Sequence, residues 1–245
     1  MKDEGIKLNG IRCKGLFVAG IYKGLTNDGP GARIGLWVSG CSIRCPGCIA
    51  PEIWDRESGL SFPVDAVVDQ ILSLAPDHQG ITVSGGEPFD QAGALSEVLV
   101  QIKARTNLDV IIYSGYTIEE IRNGPSGAIE LLSLADVLID GRFIEEEPCV
   151  EFWKGSRNQK VHFLTAKGKV YRSYFMEGIE DKRKICFEVT GNSHLHFIGI
   201  PARGFFDEFS KNLKRKGIIL KAHNLPLVGD YKKEEEFFGQ GSKNV

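Results

Sequence analysis

The chain has 245 residues, of which 42% are hydrophobic and 25% are charged, and its formal net charge is −2 at pH 7. This length allows one large domain or a core with an appendage, and a net charge so close to zero gives no reason to expect nucleic acid or an acidic membrane as a partner. The sequence shows no apolar leader and no membrane-length apolar run, and its six cysteines are sparse. We therefore expect a cytoplasmic protein without disulfides.

Glycines divide the first part of the chain into short β-like runs, and the first clear core strand covers residues 33–39. The runs around Ile11 and over 16–21 predict a hairpin or a loop ahead of that strand. Farther on, Ser61-Phe62-Pro63 predicts the start of a helix, because proline is favoured at an early helical position. Apolar residues then continue at helical spacing as far as Ala75.

Three further strands alternate with helices along the middle of the chain. The strands are predicted at 80–84, 108–114 and 135–140, with a helix from about 90 to 105 between the first two. Thr117 and Glu120 have the spacing of a capping box that opens the next helix. Strands that alternate with helices form parallel sheets, so the fold class that we predict is α/β, a partial (β/α) barrel of parallel strands.

The pattern changes after residue 165. Two β-like runs at 184–189 and 195–200 predict an antiparallel pair, and a helix with an aromatic face follows from Phe205. We expect these elements to form a small α+β module beside the core. The predicted division of the chain is a core over 1–165, a ββα-like module over 166–230 and a flexible tail over 231–245.

The first core strand leads directly into a loop that carries Cys41, Cys45 and Cys48 at the spacing C-x3-C-x2-C. Thiolates hold iron–sulfur clusters, and a [4Fe–4S] cluster usually takes four of them. Three clustered cysteines therefore suggest a cluster with one iron left open for another ligand. A structural zinc site remains an alternative, although it needs four ligands and the other cysteines each stand alone in the sequence, at Cys13, Cys149 and Cys186.

A second candidate segment, Ser84-Gly85-Gly86-Glu87-Pro88, follows the next predicted strand. Glycine lets a backbone approach a ligand closely, because it has no Cβ. By itself this segment also fits an ordinary strand-to-helix turn with a proline. Its place at a second strand end favours a shared site with the cysteine loop, because the carboxyl ends of parallel strands meet at one edge.

Taken together, these motifs resemble the radical S-adenosylmethionine (SAM) superfamily. The stretch from Leu36 to Trp54, with Val38-Ser39-Gly40-Cys41 and Cys45-Pro46-Gly47-Cys48, resembles the activating proteins of anaerobic ribonucleotide reductase. The similarity extends from roughly Gly10 to Leu164. It departs from that group at Ile49-Ala50-Pro51, where the group usually has Tyr-Asn, and in the C-terminal residues beyond it.

The resemblance implies a cofactor and a role for each matching residue. The cofactor is a [4Fe–4S] cluster with one open iron, which SAM chelates, and the three metal ligands are Cys41, Cys45 and Cys48. Positions that match the SAM contacts of the superfamily are Gly85, Gly86 and Glu87 for the methionyl amine, Ser114 for the ribose, and Gly47 and Ile49 beside the adenine. Arg142 fits the SAM carboxylate, a partner or a surface ion pair.

The activity that the resemblance implies is reductive cleavage of SAM to a 5′-deoxyadenosyl radical, which activates a glycyl-radical enzyme such as anaerobic ribonucleotide reductase. The implied partners are that enzyme and an electron donor of the flavodoxin or ferredoxin type. Two alternatives remain open. One is a radical SAM enzyme that modifies a peptide or a nucleotide, and the other is a non-catalytic iron–sulfur or zinc scaffold.

Overall fold

The computed structural model of the chain describes residues 7–8, 11–12, 15–149, 151, 153–176, 185–190, 194–201, 204–218 and 227–228. The strands in chain order are β1 (Lys7–Leu8), β2 (Ile11–Arg12), β3 (Gly15–Leu25), β4 (Arg33–Val38), β5 (Leu60–Pro63), β6 (Gly80–Gly85), β7 (Asp109–Tyr113), β8 (Val137–Asp140), β9 (Lys160–Phe163), β10 (Cys186–Thr190), β11 (His194–Ile198) and β12 (Leu227–Val228). The helices are α1 (Val64–Leu74), α2 (Ala92–Arg105), α3 (Ile118–Arg122), α4 (Ala128–Leu134), α5 (Ala166–Val170), α6 (Arg172–Met176) and α7 (Phe205–Arg215).

One mixed sheet organises the core. Its strand order is β12-β3-β4-β6-β7-β8-β9, and β5 pairs with the amino half of β3. The four central strands β4, β6, β7 and β8 run parallel, while β3 pairs antiparallel with β4, and β9 pairs antiparallel with β8. The predicted parallel strands are therefore confirmed. The finer prediction of a partial barrel is not established, because the sheet is open between β12 and β9 in the part of the chain described.

Apolar residues cover both faces of the sheet, which explains why its central strands are apolar almost throughout. One face packs against α1, α2 and α4 through residues that include Leu36, Val83 and Ile112, all fully buried. Ile111, Val137 and Ile139 on the other face pack against Trp153 and Phe175. Strands buried on both sides hold the loops at their ends in fixed relative positions.

Two boundaries differ from the sequence prediction. Ser61, Phe62 and Pro63 belong to β5 and pair antiparallel with β3, so α1 begins only at Val64. Proline is tolerated at this point because it closes an edge strand, where its missing N–H costs no ladder bond. Strand β3 is also longer than expected, since its glycines allow two irregularities in the pairing with β4 instead of ending the strand.

The C-terminal elements have the predicted types. Strands β10 and β11 pair antiparallel, and Phe187 stacks on Phe209 of α7 with 5.2 Å between ring centroids. Strand β12 pairs with β3 of the main sheet. The proposed division at residue 165 stays a prediction, and the tail over 231–245 and Cys13 lie outside the described residues. No helix in the described ranges is long and apolar enough to span a membrane.

Candidate iron–sulfur and SAM site

The cysteine loop leaves the carboxyl end of β4 and is held at its base by backbone hydrogen bonds. Gly40 has a φ of +95°, which turns the chain out of the strand. The N–H groups of Gly40 and Cys41 then donate to the carbonyls of Ile53 (2.9 Å) and Trp54 (2.8 Å). These hydrogen bonds join the start of the loop to its end, which restricts the space that the three cysteines can occupy.

Arg44 lies between the first two cysteines with a φ of +51°, a left-handed conformation that is uncommon for a residue with a side chain. Its guanidinium forms an ion pair with Asp55 and lies 6.0 Å from the ring centroid of Trp54. These contacts tie the Arg44 side chain to Trp54 and Asp55. The turn consequently directs the backbone N–H groups of Ile43 and Arg44 toward the Cys41 thiol.

All three thiols of the loop are reduced and partly exposed. Partial burial raises the pKa of Cys41, and the backbone N–H groups that reach its sulfur act in the opposite direction. Burial likewise raises the pKa of Cys45, which the backbone N–H of Phe143 and the charge of Arg142 oppose. The segment after β8 thus reaches the cysteine loop from the other side.

The donor atoms on the cysteine loop are thiols, and thiolates are the usual ligands of iron–sulfur clusters. Within the described residues, no three histidine, cysteine, aspartate or glutamate side chains are grouped closely enough to hold one ion. Zinc needs its ligands around a single point, whereas each thiolate of a four-iron cluster binds an iron of its own. Three thiols on one loop would provide for three of the four irons of such a cluster.

Gly85 and Gly86 lie directly beside the base of the cysteine loop. The N–H of Gly86 donates to Val38 (2.7 Å) and that of Glu87 to Gly40 (2.9 Å). A Cβ on Gly85 would stand 2.3 Å from the Val38 carbonyl oxygen, and one on Gly86 would stand 2.2 Å from that of Gly40. The glycine pair is thus required for the close packing of two backbones, a reason that the sequence alone does not reveal.

Glu87 and Ser114 are brought together at the same edge. The Glu87 carboxylate is 1% exposed and accepts hydrogen bonds from the Ser114 hydroxyl (2.9 Å) and the N–H groups of Gly115 (2.8 Å) and Phe89 (3.0 Å). Burial raises the pKa of Glu87 to about 7 despite these three bonds. Its side chain therefore ties the ends of β6 and β7 together behind the glycine pair.

The other predicted contacts lie on or near the cysteine loop. Gly47 has a φ of +72°, and a Cβ there would be 2.7 Å from the Glu145 carboxylate. Ile49 is 44% exposed. Arg142 forms an exposed ion pair with Glu120 (2.8 Å), which agrees with the surface ion pair among its three predicted roles.

Sequence patterns do not single out Asp90 or Ser42, although both lie in this site. Asp90, in the short turn after Pro88, accepts hydrogen bonds from the Ser42 N–H and hydroxyl and from the Tyr116 hydroxyl. A carboxylate placed between a strand end and a helix start is a usable signal. Its partner Ser42 lies on another loop, so the contact between them can be recognised only when the arrangement of the strands is known.

Comparisons with known proteins agree with this geometry. The model of the family described as the 4Fe-4S single cluster domain matches residues 27–162. The anaerobic ribonucleoside-triphosphate reductase-activating protein of Escherichia coli K12 is 34% identical over 146 residues, which cover 56% of this chain and 92% of the relative. Its counterpart from phage T4 is 32% identical over 138 residues, covering 55% and 85%.

Among solved structures, QueE from Escherichia coli aligns with a TM-score of 0.37 and 14% identity over 50% of this chain and 69% of that one. This score is too low to establish a common fold. Two findings establish the family of the chain. The family model matches more than half of the chain, and the chain covers its relatives almost end to end. The chain belongs to the 4Fe-4S single cluster domain family.

Proposed function

We propose that the protein is a radical SAM enzyme whose [4Fe–4S] cluster is held by Cys41, Cys45 and Cys48. The observation that carries this proposal is the contact between the cysteine loop and the Gly85–Gly86 pair at the carboxyl edge of the sheet. Three cysteine ligands provide for three irons, and the neighbouring glycine backbone provides a surface where a small ligand can lie close to the fourth.

When bound, the cluster supplies one electron that breaks a C–S bond of SAM to give methionine and a 5′-deoxyadenosyl radical. The role of the protein's own residues is to bind the cluster and SAM and to orient SAM for this cleavage. The backbone of Gly85 and Gly86 would hold the methionyl group, Ser114 would face the ribose, and Gly47 and Ile49 would lie beside the adenine. The buried carboxylate of Glu87 would act from behind the glycine pair, where it ties the ends of two strands together. These positions follow the family pattern, and the hydrogen bonds of Glu87 support the shared edge of the glycine pair and Ser114.

The target that we propose is a glycine residue of a glycyl-radical enzyme, such as an anaerobic ribonucleotide reductase. The name of the 34% identical relative supports this choice, since that protein activates such a reductase. An electron donor of the flavodoxin or ferredoxin type would reduce the cluster. We also place the protein in the cytoplasm, because its six cysteines are sparse and a reducing compartment would keep thiols available for a cluster.

One observation favours a second candidate. Strands β10 and β11 and helix α7 lie outside residues 27–162, which the family model matches. We therefore also propose that a module over 166–230 follows a core over 1–165 and presents a different substrate, such as a peptide or a nucleotide. The alternation of strands and helices in that core supports a partial (β/α) barrel as its finer description.

The test is SAM cleavage by the reconstituted protein. Anaerobic loading with iron and sulfide, followed by dithionite and SAM, should yield 5′-deoxyadenosine. The Cys45→Ala variant should lose both the cluster iron and the product, whereas Cys149→Ala, which removes a thiol outside the loop, should retain both. Formation of a glycyl-radical signal in a partner reductase would identify the target. Zinc-loaded, colourless protein without product would refute the proposal.

A further inference from the structure

Asp90 links the turn after β6 to the residue that follows the first cysteine. Its Oδ2 accepts the Ser42 N–H at 2.7 Å, and its Oδ1 accepts the Ser42 hydroxyl at 2.9 Å and the Tyr116 hydroxyl at 3.1 Å. The two hydroxyls are themselves 2.7 Å apart. Three loops, at the ends of β4, β6 and β7, therefore meet at one carboxylate.

The Ser42 N–H can only donate, so the Asp90 carboxylate accepts that bond, and its Oδ1 lies within hydrogen-bond distance of both hydroxyls. In the described part of the chain, no lysine or arginine forms an ion pair with it. The nearest guanidinium contact is that of Arg56, which donates to the Asp90 backbone carbonyl at 3.3 Å. Arg142 lies over the Tyr116 ring at 5.9 Å and is paired with Glu120. A negative charge thus remains beside Cys41.

We propose that Asp90 is a positioning residue that holds the cysteine loop and that its charge lowers the reduction potential of the cluster. This inference rests on the proposed function. A cluster bound by three thiolates already carries negative charge, so adding one electron next to a carboxylate is less favourable than next to a neutral group. The electron enters from an external reductant and leaves to the sulfonium of SAM. A lower potential increases the driving force of that second transfer.

Substitution of Asp90 by asparagine separates the charge from the shape. The amide oxygen of the new side chain would still accept from the Ser42 N–H, and its NH₂ group can donate to either hydroxyl. The variants to compare are Asp90→Asn, Tyr116→Phe, which removes one hydrogen bond and keeps the charge, and Asp65→Asn. Asp65 is an exposed residue on α1 that accepts from Gln101, so its variant removes a charge remote from the cysteine loop.

Each variant is reconstituted anaerobically, its iron and sulfide are counted, and the cluster is titrated with dithionite while its spectrum is followed. We expect Asp90→Asn to bind as much iron as the wild type and to be reduced at a more positive potential. The cluster of Tyr116→Phe should have a reduction potential close to that of the wild type. The cluster of Asp65→Asn should have the same reduction potential as the wild type. Equal potentials for Asp90→Asn and the wild type, or an equal shift for Asp65→Asn, would overturn the inference.

If Asp90→Asn binds no cluster, two measurements show whether Asp90 positions the loop. They are the melting temperature of Asp90→Asn and the iron content of Asp90→Glu. An unchanged melting temperature, with iron restored by the glutamate, supports the positioning role. Failure of the glutamate to restore iron overturns it. Wild-type protein that binds no cluster would instead refute the proposed function, so the two failures are distinguishable.

Discussion

The two ends of the parallel strands use charged residues in opposite ways. At the amino edge, Arg33 is fully buried and donates to Thr82 (2.8 Å), to the carbonyl of Ile81 (2.9 Å) and to the Asp109 carboxylate (2.5 Å). The Tyr171 hydroxyl donates to the second oxygen of that carboxylate at 2.6 Å. Arg33 and Asp109 thus have their partners within the chain, so this pair is complete without a ligand.

The carboxyl edge contains partly exposed thiols, a glycine pair pressed against backbone and a carboxylate that gathers three loops. Its thiols are free to bind a group that the protein itself does not supply. The same sheet therefore has a closed edge, where the charged side chains are paired within the chain, and an open edge, where the proposed site lies. Substitutions at the two edges should separate stability from chemistry, and four of them test this, from the largest expected effect to the smallest.

At the closed edge, Arg33→Met should have the largest effect on stability. It leaves the buried Asp109 carboxylate without its cation, which costs about 3–5 kcal/mol in the free energy of unfolding. Urea denaturation measures the loss, with the exposed Arg105→Met variant as control. Iron bound per folded molecule should not change. A destabilisation below about 1 kcal/mol, within the range of surface pairs, would show that the two edges do not differ as described.

At the open edge, Gly86→Ala should reduce SAM cleavage by about 100-fold, because the new Cβ displaces the base of the cysteine loop. Gly24→Ala is the matched control, since a Cβ at Gly24 meets nothing within 4 Å although its φ is +69°. The control should cleave SAM at the wild-type rate. Cleavage by Gly86→Ala within a few-fold of that rate would mean that the glycine pair does not position the site.

Asp28 is buried like Arg33 and Asp109, but one of its carboxylate oxygens has no hydrogen-bond partner among the described residues. That oxygen is Oδ2, and burial raises the pKa of Asp28 from 3.8 to about 7, with Arg33 partly opposing. The pKa of Asp28 is higher in the folded state than in the unfolded state. The contribution of the protonated Asp28 to the free energy of unfolding is therefore complete below about pH 4 and is lost as the pH rises to about 7. The difference between the two pKa values corresponds to about 4 kcal/mol.

Asp28→Asn should remove this dependence. An amide at the same place leaves its own polar atoms unsatisfied, which costs about 1–3 kcal/mol, so the net gain at pH 8 is about 1–3 kcal/mol. The measurement is the unfolding free energy of wild type and variant at pH 4.5 and pH 8. We expect the stability of the variant relative to the wild type to rise with pH. A relative stability that is constant or falls would contradict the assigned pKa.

The smallest effect is expected for the ion pair of Arg142 and Glu120. Both side chains are more than 40% exposed, and the Arg142 hydrogen bond lowers the pKa of Glu120 to about 2. Water screens such a pair, so Arg142→Gln should change the unfolding free energy by less than about 1 kcal/mol. Thermal melting at low and high salt measures it. A larger loss that salt does not reduce would indicate a role in the site.

The sequence predicts the parallel core strands and the edge at which the site forms, because apolar runs and the Cys and Gly motifs are local patterns. The capping box of Thr117 and Glu120 is likewise confirmed in full. The β5 pairing that delays α1 to Val64 could not be predicted, since it depends on a distant segment of β3. For the same reason the sequence does not reveal that Asp90 reaches Ser42.

The central claim is that three cysteines leave one iron to be bound by SAM. The most direct test is electron–nuclear double resonance on the dithionite-reduced cluster with SAM labelled with 15N in its methionyl amine. We expect a 15N coupling to the cluster that disappears with unlabelled SAM. A cluster whose spectrum does not respond to SAM, or that shows no 15N coupling, would contradict the account and indicate a cluster with all four irons already ligated.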